Sequence, residues 1–277
     1  MRCAVLGSPI AHSLSPALHR AAYDHLGLDW TYDAVLVETS GLARFLENLD
    51  RSWRGLSLTM PLKRLVVPMV GSLDAWAQLS GVANTVLFDR DRRLGFNTDV
   101  PGAMAAILER VPDPPRSAVV IGGGATATSV LLALTELGCS TAQVLVRDPA
   151  RAEETMTAVA AHVRAPELSV STIAEVGLLE ADIVVSTVPA DAQTPRLLAA
   201  CAAVPAVFEV VYDPWPTPLA RAAQDSGRHL VSGLDLLAHQ AVLQVDLMTG
   251  RPVPVDLIRE AGRAELARRV GENPVLQ

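Results

Sequence analysis

A chain with 23 cationic side chains has almost no lysine: Lys63 is the only one, and the rest are arginine. Arginine keeps its proton at any working pH, whereas a lysine amine gives its proton up and takes it back. A proton-transfer catalyst is therefore one position where arginine cannot serve, and Lys63 is a catalytic candidate beside the plainer reading of a solvated surface cation. Aromatic residues make up only 4%, which argues against an aromatic-rich sandwich or barrel. The three cysteines, Cys3, Cys139 and Cys201, lie far apart. They offer neither a CxxC pair nor a metal spacing, so unpaired thiols in a reducing, cytoplasmic setting are expected. The six histidines are equally scattered and signal no metal site. There is no long basic run, and the net charge is −7, so neither nucleic acid nor an anionic membrane is an expected partner. Residues 117–135 carry no charge but hold a triple glycine and several hydroxyl side chains, which suits a strand, a turn and a helix better than a membrane span. The N-terminus turns polar too soon for a signal peptide.

What the chain does have is an aliphatic bulk. Half of its 277 residues are hydrophobic, chiefly alanine, valine and leucine, as in helices packed on a parallel sheet. The length exceeds what one core handles comfortably, so two domains are expected. Apolar runs at 4–6, 32–37, 55–59, 85–88 and 94–97 read as strands, with helices at 16–26, 42–49, 74–79 and 102–110. Ser15 stands as N-cap of the first helix, with Pro16 following and Gly27 past the end. Val111-Pro112-Asp113-Pro114-Pro115 is linker-like. Beyond it the pattern becomes a βαβ series, with strands at 118–121, 143–146, 183–188, 206–212 and 229–231. From 234 onward only helical periodicity remains. The expected fold class is α/β with two domains. One is a Rossmann-like doubly wound parallel sheet at 101–233. The other is an α/β substrate domain formed discontinuously by 1–100 and 234–277.

The glycine run Gly122-Gly123-Gly124-Ala125-Thr126-Ala127 has the G-x-G-x-x-A form between a buried strand and a helix. Glycines there let the backbone approach a pyrophosphate resting on the helix amides. At the end of the next strand, Arg147-Asp148-Pro149-Ala150-Arg151 offers two cations for a ribose 2′-phosphate, favouring NADP; Asp148 would either repel that phosphate or cap the turn at Pro149. Ser13 and Ser15 lie at a helix start, where hydroxyls and amides can hold a carboxylate. The clusters Asn84-Thr85 and Asn97-Thr98-Asp99 sit at strand ends, where a turn or a cap explains each one singly.

Taken in order, these motifs resemble those of the shikimate dehydrogenases over nearly the whole chain. The matching runs are Gly7-Ser8-Pro9-Ile10-Ala11-His12-Ser13-Leu14-Ser15-Pro16, Leu58-Thr59-Met60-Pro61-Leu62-Lys63, Gly81-Val82-Ala83-Asn84-Thr85 and Asn97-Thr98-Asp99. The glycine loop, Val211-Tyr212-Asp213-Pro214, Thr217-Pro218-Leu219 and Ser232-Gly233-Leu234 leading to Gln240 complete the set. The resemblance implies oxidoreduction between 3-dehydroshikimate and shikimate with NADP(H), in aromatic amino-acid biosynthesis. It implies Lys63 and Asp99 as catalytic residues, the carboxylate orienting the amine. Ser13 and Ser15 would hold the substrate carboxylate, and Thr59, Asn84, Asp99, Tyr212 and Gln240 would meet the ring hydroxyls or their surroundings. Gly122, Gly123, Gly124, Ala125, Thr126, Arg147, Arg151, Thr187, Val210 and Gly233 would bind the cofactor.

Three positions depart from the family pattern. Ser57 stands where asparagine is usual, Thr128 replaces an arginine after the glycine loop, and Val146 replaces the asparagine before Arg147. An NAD-dependent quinate/shikimate or aminoshikimate dehydrogenase therefore remains an alternative. So do a methylene-tetrahydrofolate dehydrogenase of similar plan and a dinucleotide-binding sensor without catalysis. A monomer and a homodimer are both compatible with the sequence.

Overall fold

In strand β1 (Arg2–Gly7) successive side chains serve two cores. Ala4 and Leu6 pack with Leu56, Leu58 and Leu62, while Cys3 and Val5 pack with Tyr23, Tyr32 and Met248. This is the period-two alternation of a strand buried on both faces. The computed structural model describes residues 1–272. The chain divides into two units, Met1–Thr98 with Leu237–Gln277, and Asp99–Leu236.

The first unit continues with α1 (Ser15–His25), β2 (Thr31–Leu36), α2 (Leu42–Glu47), β3 (Trp53–Leu58), α3 (Leu62–Leu65), β4 (Ser72–Leu73), α4 (Ala75–Ser80), β5 (Thr85–Asp89) and β6 (Arg92–Phe96). Its sheet runs β2-β1-β3-β5-β6-β4. The β2-β1-β3 pairs are parallel, and β5 is antiparallel to both β3 and β6. Asp74 caps α4 by accepting from the Ala77 amide, and Gly81 ends it with a left-handed φ of 61°. Ser15 is not the N-cap of α1: Leu14 holds that place and Ser15 is the first helical residue. Pro16 lacks an amide and fits the second helical position as well as the first. The Ser15 amide is taken by Ser13 Oγ at 3.3 Å.

The second unit holds α5 (Asp99–Arg110), β7 (Ser117–Ile121), α6 (Ala125–Glu136), β8 (Thr141–Val146), α7 (Glu153–Ala160), β9 (Glu167–Thr172), β10 (Ile183–Ser186), α8 (Pro195–Ala200), β11 (Ala206–Glu209), α9 (Pro218–Asp225) and β12 (His229–Ser232). All its strand pairs are parallel. The order β12-β11-β10-β7-β8-β9 is the doubly wound arrangement, reversing direction between β7 and β10. Ligands bind such sheets at the carboxyl ends of the strands flanking that reversal. Val119, Ile121, Val184 and Val207 build one of the cores against the sheet. Two helices follow, α10 (Gly233–Thr249) and α11 (Val255–Glu272). Among the described residues no helix is long and apolar enough to cross a membrane.

Candidate active site

In the first unit the carboxyl ends of β1 and β3 meet. A Cβ on Gly7 would lie 2.4 Å from the Thr59 methyl carbon and 2.9 Å from the Met60 carbonyl oxygen, so only glycine admits this approach. The Thr59 amide bonds to the Leu6 carbonyl, and that of Ser8 to Met60. The segment leading to Ser13 and Ser15 is thereby held beside the Thr59 turn. Leu62 N closes that turn on the Thr59 carbonyl at 2.8 Å, and Lys63 follows on the single turn of α3. The Lys63 carbonyl takes the Ala83 amide at 2.8 Å, and the Asn84 carbonyl takes that of Leu58 at 2.7 Å. Ser13, Ser15, Thr59, Lys63, Asn84 and Gln240 all belong to this unit; Asp99, Tyr212 and the cofactor candidates belong to the other.

Beneath these residues runs a buried polar network that motif reading missed. Tyr32 donates to Ser57 at 2.6 Å, and Ser57 donates to Gln244 Oε1 at 2.7 Å. His19 Nε2 also reaches that oxygen, at 3.2 Å. The Gln244 amide nitrogen donates to Thr85 Oγ1 at 2.8 Å and to the Asn84 carbonyl at 3.3 Å. Asn84 in turn contacts Thr98 Oγ1 at 2.8 Å and Gln240 Oε1 at 3.3 Å through its side-chain nitrogen. Tyr32 also interacts with Ser15, and burial drives its phenol far above the ordinary range. His19 is fully buried, stacked on Tyr32 at 4.0 Å between ring centroids. Burial pushes it down to about 3, against the opposing pull of its bond to Gln244. Its imidazole is therefore neutral at pH 7, and with Nε2 donating, Nδ1 is left as a buried acceptor without a partner. Ser57 spends its proton on Gln244, so toward a ligand it can only accept. Gln244 lies one helical turn beyond Gln240, the one spacing by which the sequence could have exposed it.

The second unit carries the dinucleotide features. Gly122 ends β7 with φ 111°, and a Cβ there would sit 2.2 Å from Thr187 Oγ1 at the end of β10. The Thr187 hydroxyl donates to the Ile121 carbonyl at 2.9 Å. A Cβ on Gly123 would lie 2.6 Å from the Arg151 carbonyl oxygen. Gly124 is the N-cap of α6 and makes no side-chain cap. The first-turn amides, from Ala125 and Thr126, are thus the donors that a helix start leaves to a ligand. Thr128 is fully buried, its hydroxyl shared with Thr155 at 2.7 Å. Thr155 in turn donates to the Gly123 carbonyl at 2.9 Å, so the pair supports the glycine loop. Arg147 and Arg151 are exposed at the end of β8. Asp148 accepts from the Ala150 amide at 3.1 Å, so it caps the turn.

A Cβ on Gly233 would lie 2.1 Å from the Val210 carbonyl oxygen, so these two cofactor candidates abut. Behind Val210, the buried Glu209 carboxylate takes bonds from Gln193 at 2.6 Å, Thr217 at 2.7 Å and the Val211 amide at 3.0 Å. Burial raises its pKa despite these bonds. At the start of α10, Asp235 pairs with Arg110 at 2.7 Å and accepts from Ser232. Burial opposes its charge, but Arg110 and Ser232 outweigh it and hold the carboxyl low. Among the described residues no cluster of His, Cys, Asp or Glu could hold a metal.

Residues 5–86 match the shikimate dehydrogenase substrate binding domain, and 233–261 match the shikimate 5'-dehydrogenase C-terminal domain. A shikimate dehydrogenase (NADP(+)) of Thermus thermophilus is 36% identical, the alignment covering 97% of this chain and 98% of the relative. The chain belongs to the shikimate dehydrogenase family. Among solved members, the Mycobacterium tuberculosis shikimate dehydrogenase is 35% identical with a TM-score of 0.85, covering 95% of this chain and 99% of that one. A Thermus thermophilus shikimate 5-dehydrogenase in complex with NADP(H) and shikimate is 32% identical with a TM-score of 0.82, covering 95% and 99%. The shikimate dehydrogenase frame thus accounts for both sheets and for the two terminal helices.

Proposed function

We propose that this chain is an NADP-dependent shikimate dehydrogenase, interconverting 3-dehydroshikimate and shikimate in aromatic amino-acid biosynthesis. The observation that carries it is full-length similarity to shikimate dehydrogenases (NADP(+)), with Lys63 retained as the single lysine. The glycine loop fits the cofactor, because added Cβ atoms on Gly122 and Gly123 would clash within 2.6 Å, leaving bare backbone against which a pyrophosphate lies. Arg147 and Arg151 are the cations for the 2′-phosphate, with Asp148 turned to capping. Thr187, Val210 and Gly233 flank the nicotinamide in this reading. When bound, NADPH supplies the hydride.

Reduction of the ketone builds negative charge on its oxygen. The Lys63 ammonium stabilises that charge and then gives its proton to the oxygen, and Asp99 supplies the counter-charge. Ser13 and Ser15 hold the carboxylate, while Thr59, Asn84, Tyr212 and Gln240 meet the ring hydroxyls. Ser57 serves as an acceptor only.

The test is consumption of NADPH by the purified chain with 3-dehydroshikimate. Shikimate should appear mole for mole as NADPH disappears; NADPH left intact would refute the reading. In Arg147→Ala the KM for NADP⁺ should rise far more than that for NAD⁺. Equal changes would remove Arg147 from phosphate binding.

A further inference from the structure

The carboxylate-binding serines are braced from a direction the motifs do not reveal. Arg269, near the end of α11, donates from Nη1 to the His12 carbonyl at 2.9 Å and from Nη2 to the Ser13 carbonyl at 3.0 Å. Its Nε is taken by Glu265, 2.8 Å away on the preceding turn of the helix. All three nitrogens of one planar guanidinium are therefore engaged, two with the serine loop and one with the helix. Glu265 is fixed in turn by Arg268, through two bonds of 2.9 Å, and its carboxyl is held down to about 2, chiefly by Arg268 and further by Arg269. The anchor of the clamp is thus charged throughout the neutral range.

A trans peptide is planar, with its amide opposed to its carbonyl. Holding the His12 and Ser13 carbonyls toward α11 turns the Ser13 and Leu14 amides away from it. The Ser13 amide is occupied by the Ile10 carbonyl at 3.0 Å, and Ser13 Oγ accepts from the Ser15 amide. Orientation of the loop fixes both hydroxyls together. The guanidinium also places a positive charge behind a loop meant to receive an anion, polarising the peptides that face it.

We infer that Arg269, held by Glu265, is a positioning residue that presets Ser13 and Ser15 for the substrate carboxylate, so that the C-terminal helix sets affinity for the acid without touching it. The inference rests on the function proposed above and deepens it.

The experiment combines steady-state kinetics with calorimetric shikimate binding for the wild type, Arg269→Met, Arg269→Lys, Ser13→Ala and the double variant Ser13→Ala/Arg269→Met. Losing two charge-assisted bonds to the loop should raise the shikimate KM and Kd roughly tenfold in Arg269→Met, with kcat and the NADP⁺ KM within about twofold. Lysine, which reaches a carbonyl as a point charge but lacks the fork, should restore part of the loss. In the Ser13→Ala background the same change should add little, because both act on one element. Should Arg269→Met fail to fold, Glu265→Gln, which keeps Arg269 but loosens its anchor, should raise the shikimate KM about threefold. An unchanged shikimate KM, parallel damage to kcat and both KM values, or full additivity with Ser13→Ala would each overturn the inference. A wild type that binds no shikimate would sink the proposed function along with it.

Discussion

If the Lys63 amine must give up a proton and take it back, arginine cannot stand in its place. Lys63→Ala should lower kcat by about 10²–10⁴-fold, the usual range for a lost acid–base group, while leaving the shikimate KM nearly unchanged. A wild-type kcat in that variant would take Lys63 out of the mechanism. Gln244 makes a different prediction. It joins Ser57, His19, Thr85 and Asn84 in one buried network. Gln244→Leu would strand several of these groups, each at a cost of about 1–3 kcal/mol. The thermal midpoint should fall by several degrees and the shikimate KM should rise; a variant as stable as the wild type would show that the network relaxes freely. Composition and motif pointed to Lys63 because its chemistry is written in its residue type. Gln244 was hidden because its partners are distant in sequence: His19 lies 225 residues away, and no local pattern connects them.

Among the loops, the glycine turn after β7 is constrained both by its φ and by its close approach to Thr187. Gly122→Ala would have to hold φ near 111° and place a Cβ 2.2 Å from Thr187 Oγ1. Strain of about 1–3 kcal/mol is expected, with a raised NADP⁺ KM and an unchanged shikimate KM, read by melting and steady-state kinetics. Unaltered cofactor kinetics would mean that the turn serves packing alone. This turn was readable because it is a contiguous pattern between strand and helix. In the other unit Ser13 and Ser15 were also readable from their place at a helix start, whereas roles for Thr59, Asn84 and Gln240 came only through resemblance, since a cap or turn explained the polar clusters singly. Elements without a clean period were missed. β9 is an edge strand of half-polar sequence, Glu167–Thr172, and α8 spans only Pro195–Ala200. The one misplaced cap, Ser15, arose because proline suits either of the first two helical positions, leaving Ser13 to take the amide.

For the folded chain, His19 makes acid sensitivity a property of the buried network. Its native pKa is near 3, against about 6.5 in an unfolded chain. Between those values the unfolded state binds a proton that the native state refuses. Stability should therefore fall as pH drops from about 6.5 toward 3, with a slope of up to about 1.4 kcal/mol per pH unit from this group. His19→Phe, which keeps the ring on Tyr32 without a titrating nitrogen, should flatten that slope in urea melts across this window; an unaltered slope would place the sensitivity elsewhere. At neutral pH the central claim is catalytic. The most direct measurement is the initial rate of NADP⁺ reduction with shikimate, followed at the nicotinamide absorbance, with NAD⁺ and quinate in parallel. The account predicts clear turnover with NADP⁺ and shikimate and little with the other pairs. Turnover chiefly with NAD⁺ or quinate, or none with any pair, would contradict it.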